Sequence, residues 1–230
     1  TGESLNDVPA TGIKWPGFRE RQGRLRESIV LMRRLWTEER VTFEGQYYRT
    51  RGATIYDRPE TPVPIWIAAS GPTAAAMAGE LAEGFICTSG KGSALYRDTL
   101  LPKVEEGLQR AGRPGNSIER MIEVKVSFDT DRDRAMEDTR HWAALALTPE
   151  EKMNVEDPLE MERLAAALPL ERAASRWIVS ADPEEQLAQI RPYVELGFTH
   201  LVFHAPGPDQ SRFLRLYAEQ VLPLLRAKLG

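Results

Sequence analysis

The chain has 230 residues, a single cysteine and a formal net charge of −4. That length can bury a sizeable core, and one domain or one large piece of a domain is the expectation. The acid excess leaves no basic surface for nucleic acid, lone Cys87 excludes an internal disulfide and suits a reducing cytoplasm, and no apolar run has membrane-spanning length.

The chain opens on Thr1-Gly2-Glu3, inside what reads as a loop, so an N-terminal portion is expected ahead of it. Residues 1–17 are punctuated by glycine and proline and read as loop. Over 18–36, Leu25, Ile29, Met32, Leu35 and Trp36 fall at helical spacing, with Arg and Glu on the opposite face. The arginines between Arg19 and Arg34 predict surface ion pairs. Residues 41–49 read as a hairpin turning at Glu44-Gly45-Gln46.

Residues 63–69 are almost continuously apolar, as in strands covered on both faces. Ser70-Gly71-Pro72 then leads into a helix over 73–81. Gly84-Phe85-Ile86-Cys87-Thr88-Ser89-Gly90-Lys91-Gly92 is a buried strand running into a small, hydroxylated loop that ends on a cation. A helix over about 95–110 follows. Residues 121–128 alternate strictly, with apolar residues at even positions and Glu123 and Lys125 on the other face. Those two form either an inward pair or a surface pair. Residues 129–180 read as a helical excursion in which Thr148-Pro149-Glu150-Glu151 starts a helix. Asp182-Pro183-Glu184-Glu185 repeats that grammar and opens a helix ending near Gly197. His200-Leu201-Val202-Phe203-His204 is the last strand, and residues 211–229 the last helix.

Strands and helices thus alternate in about four units, each strand leaving into a small polar loop. Parallel α/β folds do this and bind ligands at the carboxyl ends of their strands. Four units preceded by a missing beginning fit the second half of an eight-stranded barrel.

Candidate chemistry sits in those loops. The loop ending in Lys91 is a plain structural turn, or it offers backbone N–H groups, hydroxyls and an ammonium to an anion. It lacks the nucleotide P-loop spacing. Lys152 lies in the first turn of its expected helix, where the dipole disfavours a cation unless Glu150 and Glu151 offset it. Arg176 stands beside apolar bulk, either packed by its stem or waiting for an anion. Ser70-Gly71-Pro72-Thr73-Ala74 joins a strand to a helix N-terminus that either packs or admits a phosphate. Glu3 is an acid/base or a cap, and Asn6 a cofactor contact or a turn residue. His204 is a core or loop histidine, or reaches a site. Cys87 reads as inert core. No metal-ligating cluster and no serine-hydrolase elbow is present.

Thr1-Gly2-Glu3-Ser4-Leu5-Asn6, Arg51-Gly52-Ala53-Thr54-Ile55-Tyr56-Asp57, Ile67-Ala68-Ala69-Ser70-Gly71-Pro72 and the strand–loop ending in Lys91-Gly92 go together. So do Trp142-Ala143 with Leu147-Thr148-Pro149-Glu150, Arg176-Trp177-Ile178-Val179, and His200-Leu201-Val202-Phe203-His204-Ala205-Pro206-Gly207. This set closely resembles the luciferase-like (β/α)8 family, in the coenzyme F420-dependent branch that oxidises glucose 6-phosphate. The resemblance covers essentially the whole chain. It implies an α/β TIM barrel, this chain supplying roughly the second half as one domain over residues 1–230, with a helical excursion at about 129–180.

The same resemblance implies an oxidoreductase that moves a hydride from C1 of glucose 6-phosphate to coenzyme F420, an 8-hydroxy-5-deazaflavin, giving 6-phosphogluconolactone. It implies that Thr88, Lys91, Lys152 and Arg176 hold the substrate phosphate and that Glu3 is the catalytic acid/base. Asn6, Ser70, Gly71, Thr73 and Ala74 fall at coenzyme contacts, and the protein is expected to be a cytoplasmic homodimer with a sugar phosphate as its small-molecule partner. The family's Asp-His pair and active-site Trp belong to its first four strands, which this chain does not contain. Two other readings stand beside this one. One is a sister luciferase-like oxidoreductase using F420 or FMN on another substrate, and the other is an inactive barrel fragment.

Overall fold

The computed structural model describes residues 8–9, 11–153 and 155–230. They form two compact units: the described residues up to Phe85 with Leu100–Ile118, and Ile86–Thr99 with Glu119–Gly230.

The first unit begins with helix α1 (Phe18–Thr37) and the antiparallel hairpin of β1 (Val41–Glu44) and β2 (Arg49–Ala53). The expected ion pairs of α1 are present: Arg24 with Glu20, Arg34 with Glu38, Arg33 with Glu83, and Arg26 with Glu80. Exposed pairs of this kind stabilise little individually. The hairpin turn is tied down by Glu27, whose carboxylate accepts the N–H groups of Gln46, Tyr47 and Tyr48 at 2.8, 2.8 and 3.2 Å. Desolvation pushes that carboxyl up, and the three N–H bonds more than offset it, leaving it below the ordinary range.

Strand β3 is Trp66–Ala68, shorter than the apolar run 63–69 predicts. Pro62 and Pro64 have no N–H for a ladder, so pairing cannot start earlier. Helix α2 (Pro72–Leu81) and helix α3 (Leu101–Arg110) pack almost backbone to backbone. A Cβ on Gly79 would collide with the Val104 carbonyl, and one on Gly107 with the Ala76 carbonyl.

Strand β4 (Gly84–Thr88) starts in this unit and ends in the next. The expected helix over 95–110 is one continuous run, but its first part, Leu95–Leu100, is a wide π turn. The last helix shows the same: α8 (Gln210–Leu216), a π turn at Tyr217–Val221, then α9 (Leu222–Leu229). Each wide turn lies just before a Leu-Pro pair, Leu101-Pro102 and Leu222-Pro223. Proline has no N–H for the carbonyl four residues back and its ring crowds it, so the preceding turn opens.

The second unit is built on β5 (Glu119–Phe128), which pairs in parallel with β7 (His200–His204) through Met121–Lys125 and with β6 (Ile178–Ser180) through Val126–Phe128. Ile122, Val124 and Val126 are fully buried on one face. Helix α4 (Arg132–Asp138) is capped by the Asp131 carboxylate, and α7 (Pro183–Glu195) starts as predicted, with Asp182 accepting from the Glu184 N–H at 2.9 Å. Between them come a 3-10 stretch (Thr139–Ala146), α5 (Pro158–Ala166) and α6 (Leu170–Ala174).

Two expectations for residues 129–180 are corrected. The excursion ends in a strand, β6, because Ile178 and Val179 pair with Val126 and Ser127 on the edge of β5. Thr148-Pro149-Glu150-Glu151 makes the reciprocal cap, with the Thr148 N–H on Glu151 at 2.7 Å and the Glu151 N–H on Thr148 Oγ at 3.2 Å, but it opens a single turn and no helix. Arg172 takes the Glu151 carboxylate sideways, so the acid is spent on a neighbouring helix rather than on prolonging its own.

Candidate functional site

The loop after β4 is the centre of the second unit. Ser89 donates its N–H to the Glu123 carbonyl at 2.8 Å and accepts the Lys125 N–H on Oγ at 2.8 Å. Tyr96, fully buried, closes the loop from inside. Its hydroxyl donates to the Thr88 carbonyl at 2.9 Å and accepts the Lys91 N–H at 3.3 Å. Its ring sits edge-on to Tyr193 and Phe198. Burial pushes the Tyr96 hydroxyl well above the ordinary tyrosine range, so it stays protonated and can donate. Sequence periodicity treats Tyr96 as one more helix residue. The available signal was its hydroxyl, which needs a partner once buried.

Gly90 lies at φ +75° in this loop, and a Cβ there would overlap the Arg176 carbonyl and lie 3.1 Å from Arg176 Nε. The loop therefore needs glycine twice over, for its left-handed backbone and for the close approach of Arg176. Arg176 donates from Nη1 to the Leu145 carbonyl at 2.9 Å, while its Nε is buried with no hydrogen-bond partner among the described residues. Arg172, one helical turn earlier, donates to the Ala146 carbonyl at 3.3 Å. Together these arginines pin the end of the 3-10 stretch.

Thr88 and Lys91 thus stand at the carboxyl end of β4, with the Lys91 side chain exposed, and Arg176, just ahead of β6, packs against Gly90 between them. Lys152 is half-buried on its capped turn, and its ammonium makes no hydrogen bond or ion pair among the described residues. Ser70, Gly71, Thr73 and Ala74 belong to the other unit, at the start of α2. Glu3 and Asn6 lie outside the described residues.

Glu123 and Lys125 are resolved in favour of the inward pair. Lys125 Nζ meets Glu123 Oε1 at 3.0 Å, and the lysine side chain is 5% exposed. A ladder residue on a covered sheet face cannot reach solvent with so short a path, so the ammonium takes the carboxylate beside it. The same oxygen meets His204 Nδ1 at 3.0 Å. Burial pushes the Cys87 thiol up to about 12, as expected of an inert core cysteine. Among the described residues no group of His, Cys, Asp and Glu converges as a metal site, and no helix is long and apolar enough to cross a membrane.

A family model described as luciferase-like monooxygenase matches residues 1–200. An F420-dependent glucose-6-phosphate dehydrogenase of Nakamurella multipartita is 64% identical over 230 residues, which is 100% of this chain and 68% of that protein. Its counterpart in Beutenbergia cavernae is 58% identical over 228 residues, covering 99% and 68%. Among solved structures, an F420-dependent secondary alcohol dehydrogenase in complex with an F420–acetone adduct superposes with a TM-score of 0.86 at 30% identity, over 98% of this chain and 68% of that one. A coenzyme F420-dependent tetrahydromethanopterin reductase from Methanopyrus kandleri shares the fold, with a TM-score of 0.77 at 21% identity over 97% and 72%.

Proposed function

This chain belongs to the luciferase-like monooxygenase family, and on that footing we propose that it is a coenzyme F420-dependent glucose-6-phosphate dehydrogenase. Relatives with that name at 58% and 64% identity support the reading. The observation that carries it is Arg176 Nε, a buried guanidinium donor left unspent against the loop that ends in Lys91. A buried donor of this kind costs free energy unless an acceptor comes to it.

Thr88, Lys91, Lys152 and Arg176 are assigned the substrate phosphate. The planar guanidinium already bonded to Leu145 still has a donor to give, and ammonium groups supply point charge. Holding the remote phosphate fixes the sugar, so that C1 is presented in one orientation. The coenzyme, when bound, supplies the two-electron acceptor at C5 of its deazaflavin. Oxidation at C1 gives up that hydride and the proton of the C1 hydroxyl, leaving the lactone.

The start of α2 fits an anionic part of the coenzyme. Gly71 is extended, a Cβ there would meet nothing within 4 Å, no side chain caps the helix, and its first turn has no acid. Ser70, Gly71, Thr73 and Ala74 are assigned this contact. Asn6 is assigned a coenzyme contact and Glu3 the proton at the reacting carbon, on the family resemblance alone. The protein is proposed to be a cytoplasmic homodimer, and its single, buried cysteine suits a reducing compartment.

Mixing the full-length protein with glucose 6-phosphate and oxidised coenzyme should bleach the deazaflavin absorbance. Absence of bleaching with every sugar phosphate tried ends this reading.

A further inference from the structure

His204 has unspent chemistry that the assignments above do not use. It stands at the carboxyl end of β7, directly across from Lys125 in the parallel register. Its Nδ1 lies 3.0 Å from Glu123 Oε1, the oxygen that also takes the Lys125 ammonium. Burial pushes the Glu123 carboxyl up, but the bonds from Lys125 and His204 outweigh it and hold the group below the ordinary range. Glu123 is therefore an ionised acceptor, and the hydrogen between the pair belongs to Nδ1. In the neutral ring Nε2 is then left as an acceptor of fixed direction.

Nε2 makes no hydrogen bond among the described residues, and the His204 side chain is 26% exposed. The ring is gripped edge-on by Trp142 at 4.8 Å and Trp177 at 5.2 Å between centroids. Trp142 is 44% exposed and sits at a kink in the 3-10 stretch, with φ −123° and ψ 23°. Trp177 directly follows Arg176. A carboxylate that orients the ring, two indoles that lock it, partial exposure and an acceptor without a partner among the described residues make a poor core histidine. They suit a ligand with hydroxyl groups around an apolar C–H face, one residue away from the proposed phosphate anchor.

Resting on the dehydrogenase reading, we propose that His204 touches the substrate, with Nε2 accepting a hydrogen bond from a ring hydroxyl of the hexose and the exposed indole of Trp142 walling the sugar's C–H face. Glu123 and Lys125 act through His204, as positioning residues.

Two variants separate this role from a structural one. An asparagine amide reaches the place of Nδ1, and a glutamine amide reaches that of Nε2. His204→Asn keeps the bond to Glu123 and should raise KM for glucose 6-phosphate about tenfold, whereas His204→Gln keeps a polar atom for the hydroxyl and should raise it about threefold or less. A structural histidine would give the opposite order. The second readout is the imidazole nitrogen resonance of His204 in the wild-type full-length protein, assigned as the signal lost in His204→Gln. It should move on titration with glucose 6-phosphate. The opposite order of KM values, or a sugar phosphate that binds without moving that resonance, overturns the role of His204 and leaves the dehydrogenase reading standing. Failure of glucose 6-phosphate to bind at all overturns both.

Discussion

Gly90 and Arg176 share one space: the left-handed glycine leaves room for the Arg176 carbonyl and brings Arg176 Nε beside the loop that ends in Lys91. No other residue type satisfies both the backbone angle and the approach. Gly90→Ala should destabilise the protein by about 1–3 kcal/mol, from backbone strain and the displaced carbonyl. Because the displacement moves the guanidinium, KM for glucose 6-phosphate should rise with it. Urea midpoints and steady-state kinetics on the same preparation check both, and an unchanged KM would detach Arg176 from the phosphate.

The proposed phosphate anchor makes a comparison between substrates decisive. Arg176→Ala and Lys152→Ala should each cut kcat/KM for glucose 6-phosphate roughly 30-fold, the value of about 2 kcal/mol for a lost charge-assisted hydrogen bond. With unphosphorylated glucose the same variants should lose little. Equal losses on both sugars would speak against phosphate anchoring. Arg176→Lys should not rescue, since an ammonium cannot bond Leu145 and a phosphate in the fork geometry.

The second unit is also held by a carboxylate just after the end of β5. Arg212 donates from Nε and Nη2 to the two oxygens of Asp129, at 2.6 and 2.8 Å. Those bonds lower the Asp129 carboxyl from 3.8 to about 2. Its folded value lies below its unfolded one, so its stabilisation is complete above the unfolded value and is lost as pH falls towards the folded one. Asp129→Asn should therefore be less stable than the wild type by about 2 kcal/mol at neutral pH, with the gap closing between about pH 4 and pH 2. Denaturant titrations of both proteins across that range measure it. A gap that stays constant down to pH 2 would contradict the assignment.

Much of the fold could be read from local pattern. Period-two alternation marked β5, helical spacing marked α1, and the Asp182-Pro183 grammar marked the start of α7, because each depends on neighbours in the chain. The misreadings came where a distant group intervened. Thr148 and Glu151 cap each other as predicted, but Arg172 claims the acid and the helix never extends. Ile178 and Val179 form a strand only because β5 offers an edge. At the candidate site, Lys91 and Arg176 were visible as cations in suggestive loops, while Tyr96 passed as an ordinary helix residue.

By itself the sequence determined the order of strands and helices, the small-residue loops at the strand ends, and the motifs that tie the chain to its family. All of these are written in residue types and short spacings. The tertiary structure alone decided that Glu123 serves both Lys125 and His204, that Arg176 fills the room left at Gly90, and that Tyr96 locks the loop. Those relationships join residues between 2 and 86 positions apart, and only the parallel register and the burial of polar groups compel them to meet.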